Sequence, residues 1–124
     1  MNPYMSNTMY DSNNVFAKII RGEIKSDKIY EDKYVLAFKD IAPAAPTHIL
    51  VIPKGPYKDY SDFINKASPE EVSYYFTKIN DIACDLGLEE HGFRLCSNIG
   101  EKSGQSVFHF HTHILSGAKF GRLV

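Results

Sequence analysis

Charge of one sign is what this chain most plainly lacks. Its 124 residues carry 14 basic and 15 acidic side chains, a formal net charge of −1. No Lys/Arg stripe gathers on any segment, which excludes the electrostatic footprint needed to hold a long polyanion. Nucleic acid is therefore not an expected partner. A single phosphate remains open, because a few backbone N–H groups and polar side chains can hold one. Cysteine is scarce too. Cys84 and Cys96 are the only two; they form no CxxC and no disulfide framework, so reduced thiols in a cytoplasmic protein are expected. Long apolar runs are missing: the longest aliphatic stretch is Ile49-Leu50-Val51-Ile52, far short of the roughly 20 residues that span a bilayer. No membrane contact is expected. Met1 to Asn14 lacks the basic head and apolar stretch of a secretion signal, and no internal repeat or low-complexity block is present.

What is present fits one soluble domain, with 44% hydrophobic and 23% charged residues. A domain of this length buries a smaller share of its surface than a large one, which favours a homodimer. Residues 1–12, rich in Asn, Ser, Tyr and Met without any period, read as a flexible tail. That leaves 13–124 as a single domain. Asn13 or Asn14 can cap a short helix through Arg21 that turns Val15, Phe16, Ile19 and Ile20 inward, with Gly22 ending it. Strands follow near Lys28–Tyr30 and Tyr34–Phe38. A Pro-rich connection leads into a buried strand over Thr47–Ile52. The region Asp59–Asn65 reads as a loop with a helical turn. Ser68-Pro69-Glu70-Glu71 is a capping box opening a helix to Leu86, whose Val72, Tyr75, Phe76, Ile79, Ile82, Ala83 and Leu86 recur at helical spacing. Strands at Phe93–Ser97 and Val107–Leu115 complete an α+β pattern: an antiparallel sheet of about five strands with two main helices.

The chemistry concentrates in the last strand. Alternation puts His109, His111 and His113 on one side, about 7 Å apart at twice the strand rise, and Phe108, Phe110, Thr112 and Ile114 on the other. Core packing does not account for three imidazoles in a row. Histidines at i and i+2 can share a metal, although no carboxylate or cysteine ligand stands near them in the sequence. They can also perform phosphoryl chemistry: one neutral imidazole as nucleophile, its neighbours as donors to phosphate oxygens. Just upstream, Gly104 lets backbone approach a ligand closely and Ser106 can donate to a non-bridging oxygen.

The run from Gly104-Gln105-Ser106 through His109-Phe110-His111-Thr112-His113-Ile114-Leu115 resembles the motif of the histidine triad family. The resemblance extends to Phe16–Ile24, Ala37–Ile41 and Ala45–Lys54, and it is strongest to the branch called Hint, the histidine triad nucleotide-binding proteins. It implies the histidine triad fold and a hydrolase that uses no cofactor. His111 would be the nucleophile that is transiently nucleotidylated, His113 would contact the phosphate, His109 would support the site and His48 would orient the nucleophile. Asp40 and Ile41 would meet the ribose and base, Val15, Phe16, Ile19 and Phe38 would wall the purine, and Asn98 would lie beside the phosphates with Gly104, Gln105 and Ser106.

Two departures stand out. Some relatives carry a zinc-binding Cys pair around the segment written here Asn14-Val15-Phe16-Ala17. Asn14 and Ala17 supply no thiolate, so no metal is expected. The ending Lys119–Val124 also differs from the C-terminal residues that tune substrate choice in relatives. The resemblance favours a purine nucleoside phosphoramidase. A dinucleoside polyphosphate hydrolase is the rival enzyme, its relatives usually having Thr at the place of Ser106. A nucleotide-binding module with little turnover is the rival of another class.

Overall fold

The computed structural model describes Met9 to Arg122. Its centre is a pair of strands that are buried on both faces. β2 (Val35–Lys39) and β3 (Thr47–Pro53) are almost continuously apolar, the pattern of a sheet covered on both sides. Val35, Ala37, Ile49 and Val51 face one way and join Phe63, Tyr75, Ile79, Ile82, Phe110 and Ile114. Leu36, Phe38, Leu50 and Ile52 face the other way, onto Phe16 and Ile19. Helices therefore flank the sheet on both faces: α1 (Val15–Ile20) on one, α2 (Tyr60–Lys66) and α3 (Pro69–Asp85) on the other.

The sheet has five strands in the order β1-β2-β3-β5-β4, every neighbouring pair antiparallel, with β1 at Lys28–Glu31, β4 at Arg94–Cys96 and β5 at Thr112–Ser116. This is the expected fold class. Caps also form where the sequence puts them. Asn14 accepts from the Ala17 N–H to start α1, and the Ser68 hydroxyl accepts from the Glu71 N–H to start α3. Gly87, at φ 73°, carries the chain out of α3 in the left-handed conformation. The capping box is only half made, because the Glu71 carboxylate accepts from the Tyr57 hydroxyl instead. Among the described residues, no helix is long and apolar enough to cross a membrane.

Three expectations need correction. The Asp59–Asn65 region is a full helix, α2, whose N-cap Asp59 accepts from the Asp62 N–H. The last strand begins at Thr112 rather than Val107. Its ladder with β3 ends at the pair Val51–Thr112, and β4 reaches only Cys96 opposite His113. Upstream of Thr112 the chain leaves the ladder although β3 runs on to Pro53; Phe110 N–H bonds to the Tyr57 carbonyl instead, and Phe108 turns outward to 43% exposure. Lastly, part of the expected tail is held. Met1–Thr8 lie outside the described residues, whereas Arg21 Nη1 donates to the Ser12 carbonyl and Asn14 Nδ2 to the Asp11 carbonyl.

Candidate active site

β5 continues the alternation of the sheet, so Thr112 and Ile114 enter the core on the α3 side while His113 faces α1. The buried Tyr75 hydroxyl bonds both the Val51 carbonyl and Thr112 Oγ1 at 2.8 Å, fixing the start of β5 beneath the histidines. His113 lies opposite Leu50, and His48 opposite Leu115. These are diagonal neighbours on one face, close enough for side chains to meet.

The hydrogen-bond partners assign the protons. His111 Nδ1 lies 2.7 Å from the carbonyl of His109. A carbonyl only accepts, so Nδ1 carries the proton and Nε2 keeps a bare lone pair. His48 Nδ1 accepts from the Ala44 N–H at 2.9 Å, which puts the His48 proton on Nε2, 2.8 Å from His113 Nδ1. His113 Nδ1 must then accept, leaving an N–H at Nε2. His109 Nε2 donates to the Pro53 carbonyl at 2.7 Å, and its Nδ1 accepts from the Tyr10 hydroxyl. The partners of the four rings thus fit one continuous proton order.

Burial favours the neutral form of His109, His111 and His113, since a low-dielectric environment penalises the charged form. Desolvation pushes His109 down to about 4, and desolvation with the neighbouring His111 and His48 does the same to His113. Desolvation also lowers His111, partly opposed by its bond to the His109 carbonyl and by the charge of Asp40.

His111 and His113 open on a pocket of about 290 Å³, near the small end of ligand sites. Val15, Phe16, Ile19, Phe38, Asp40, Ile41 and Ser106 line it with them, so nine of the residues singled out from sequence share one cavity. Phe16 meets Phe38 edge-on at 5.5 Å and His111 edge-on at 5.0 Å. Ile41 is 99% exposed, at the rim. Ile24, Lys25, Ser26, Lys39, Leu50 and Val107 also line the pocket. Sequence reasoning missed them because each reads there as ordinary core, strand or loop.

Other expected site residues stand elsewhere. His48 touches His113, not His111; the nucleophile candidate is oriented by the main chain of His109. His109 is fully buried behind the pocket rather than beside its neighbours, because the bent backbone turns its ring toward Pro53. Asn98 does not line the pocket: its Nδ2 closes its own loop by donating to the Ser103 carbonyl. The buried Gln105 is equally committed, accepting from the Gly100 N–H and donating to the carbonyls of Lys58 and Val107. Gly104, at φ 101°, takes the left-handed turn that delivers Gln105 and Ser106, and it too stays outside the pocket lining.

Asp40, His48 and His113 bring one ligand atom each within 4.8 Å of one another, the one group among the described residues that could meet a cation. The arrangement is that of a shared proton. A tetrahedral zinc with bonds of about 2.0–2.1 Å would hold two imidazole nitrogens about 3.3 Å apart, whereas the His48 and His113 nitrogens are 2.8 Å apart. The side chains as they stand do not fit the ion.

The family model for the HIT domain matches residues 21–120. An uncharacterized HIT-like protein of Rickettsia prowazekii is 58% identical over 116 residues, covering 94% of this chain and 97% of that protein. The purine nucleoside phosphoramidase of Escherichia coli K12 is 40% identical over 110 residues, 89% of this chain and 92% of the enzyme. Among solved structures, a HIT family hydrolase from Clostridium thermocellum superposes with a TM-score of 0.83 at 42% identity, covering 92% of this chain and 98% of that one. A domain match over most of the length, close relatives and the same fold lead to one conclusion: this chain belongs to the HIT family.

Proposed function

We propose that this protein is a hydrolase of purine nucleotide conjugates, cleaving nucleoside phosphoramidates to the nucleoside monophosphate through a nucleotidyl-histidine at His111. The observation that carries the reading is the proton order around His111. Its Nδ1–H is taken by the His109 carbonyl, so the Nε2 lone pair is held bare beside the pocket walled by Phe16 and Phe38. An uncharged imidazole with a fixed tautomer is ready to attack without first losing a proton.

In the first step the Nε2 lone pair forms a bond to the α-phosphorus while the bond from phosphorus to the leaving amine breaks. The amine takes up a proton from solvent as it departs. In the second step water attacks the same phosphorus and gives up a proton to solvent, the N–P bond breaks, and its electrons return to His111. His113 Nε2–H, fixed by His48, donates to a non-bridging oxygen as charge develops there, and the Ser106 hydroxyl donates beside it. Phe16 and Phe38 flank the base, with Val15, Ile19 and Ile41 completing its apolar wall. Asp40, whose Oδ1 accepts from the Ala42 N–H, has lone pairs left for the ribose hydroxyls. No cofactor enters either step.

The likeness to the Escherichia coli phosphoramidase supports this substrate class. A homodimer belongs to the same reading. Among the described residues β4 ends the sheet with an unpaired edge, and it presents Leu95 at 48% exposure, with Phe76 and Leu86 of the α3 region at 38% and 43%. Edge strands carrying apolar side chains are ready to pair. The deciding experiment offers the purified protein an adenosine phosphoramidate, a diadenosine polyphosphate and AMP. Preferential release of AMP from the phosphoramidate supports the reading. Faster cleavage of the polyphosphate would reassign the substrate, and AMP binding with no turnover of either would make the protein a binding module.

A further inference from the structure

The back of the triad is reached by a segment that the sequence presents as a tail. His109 is fully buried, so both its ring nitrogens need partners within the protein. The Pro53 carbonyl can only accept, which commits the proton to Nε2 and leaves Nδ1 as a buried lone pair. The Tyr10 hydroxyl donates to that lone pair at 2.5 Å, with its ring edge-on to the imidazole at 5.6 Å. The ring of His109 is thereby held at both nitrogens. The carbonyl of the same residue holds His111 Nδ1–H.

We propose that Tyr10 is a positioning residue for the His111 nucleophile, acting through His109. The inference rests on the hydrolase reading above, although its geometry does not. Tyr10 is anchored well enough for the task. Asp11 Oδ1 accepts from the Asn13 N–H, Asn14 Nδ2 donates to the Asp11 carbonyl, and Arg21 reaches back to the Ser12 carbonyl. These contacts tie the segment to the start of α1, and α1 in turn sets Phe16 edge-on to both His109 and His111. One stretch of chain therefore fixes a pocket wall and the ring behind the nucleophile together. A tyrosine that merely filled space would need its ring and not its hydroxyl.

Tyr10→Phe in the full chain separates the two roles, because it keeps the ring and removes the donor. The first measurement is long-range 1H–15N NMR of the histidine side chains without nucleotide. Wild-type His109 should be the Nε2–H tautomer with Nδ1 accepting a hydrogen bond. In Tyr10→Phe that Nδ1 signal should move to the position of a nitrogen accepting none, and the His111 Nδ1–H should exchange faster with water. The second measurement is turnover of an adenosine phosphoramidate, where kcat should fall about 3- to 10-fold, as for one lost hydrogen bond, with KM and AMP affinity unchanged. Unchanged spectra and kcat would overturn the proposal. So would a loss of kcat matched by lost AMP binding and a lower Tm, which is what a packing role gives. If the wild type hydrolyses no conjugate, the hydrolase reading fails, while the spectra still decide what Tyr10 holds.

Discussion

Replacing His48 by Phe tests the proton order where the structure departs from what the family resemblance implies. His48 is buried on the same face of β3 as Leu50, and a phenyl ring of similar size fills its space. Ala44, whose N–H bonds His48 Nδ1, is exposed, so water takes over that contact at little cost. The substantive loss is the donor to His113 Nδ1. With Asp40 Oδ2 placed only 3.4 Å from the lost His48 nitrogen, the carboxylate favours a proton on His113 Nδ1. His113 then turns a lone pair instead of an N–H toward the phosphate. A hydrogen bond to a charged oxygen contributes about 1.5–3 kcal/mol, so kcat/KM for an adenosine phosphoramidate should fall about 10- to 150-fold. A double-mutant cycle identifies the route. In a His113→Ala background, His48→Phe should cost little more, since the two act as one unit. A loss below twofold in the single variant, or full additivity in the cycle, would refute the argument and return His48 to a direct role at His111.

Three further predictions follow from the same geometry. Because folding depresses the pKa of His109, His111 and His113, the unfolded chain binds more protons in acid. Stability should hold above about pH 6.5 and decline as pH falls toward 4, with the acid limb of kcat/KM below the ordinary imidazole value; a Tm that is flat over that range would contradict it. Asp40 should confer a preference for ribonucleotides, the 2′-deoxy phosphoramidate losing about 10- to 100-fold in kcat/KM, and equal values would leave Asp40 with its turn contact alone. Light scattering should give twice the 14.0 kDa chain mass for the wild type and the single mass for Leu95→Lys, whereas a wild-type monomer would remove the dimer from the account.

The parts of the molecule legible in the sequence are those fixed by local chemistry. Asn14, Ser68 and Gly87 mark helix ends by capping and left-handed backbone, and the double apolar runs of β2 and β3 announce strands covered on both faces. The nine pocket residues were legible through the resemblance. The tertiary arrangement was not. Alternation alone extends β5 back to Val107, and only the tertiary bond from the Phe110 N–H to the Tyr57 carbonyl shows the chain leaving the ladder before Thr112. Gln105 carries the signature of a ligand contact, yet its amide is spent on three backbone groups of neighbouring loops. Tyr10 has no periodic signal, because its partner His109 is 99 residues away.

The central claim is a covalent bond between His111 and the nucleotide. A rapid acid- or base-quench of the enzyme with an adenosine phosphoramidate, followed by mass spectrometry of the peptide spanning the triad, tests it directly. An adenylyl group on His111 should accumulate within the first turnover of the wild type, vanish on further reaction, and never form in His111→Ala, which should still bind AMP. An adduct on His113, or full turnover by His111→Ala, would contradict it.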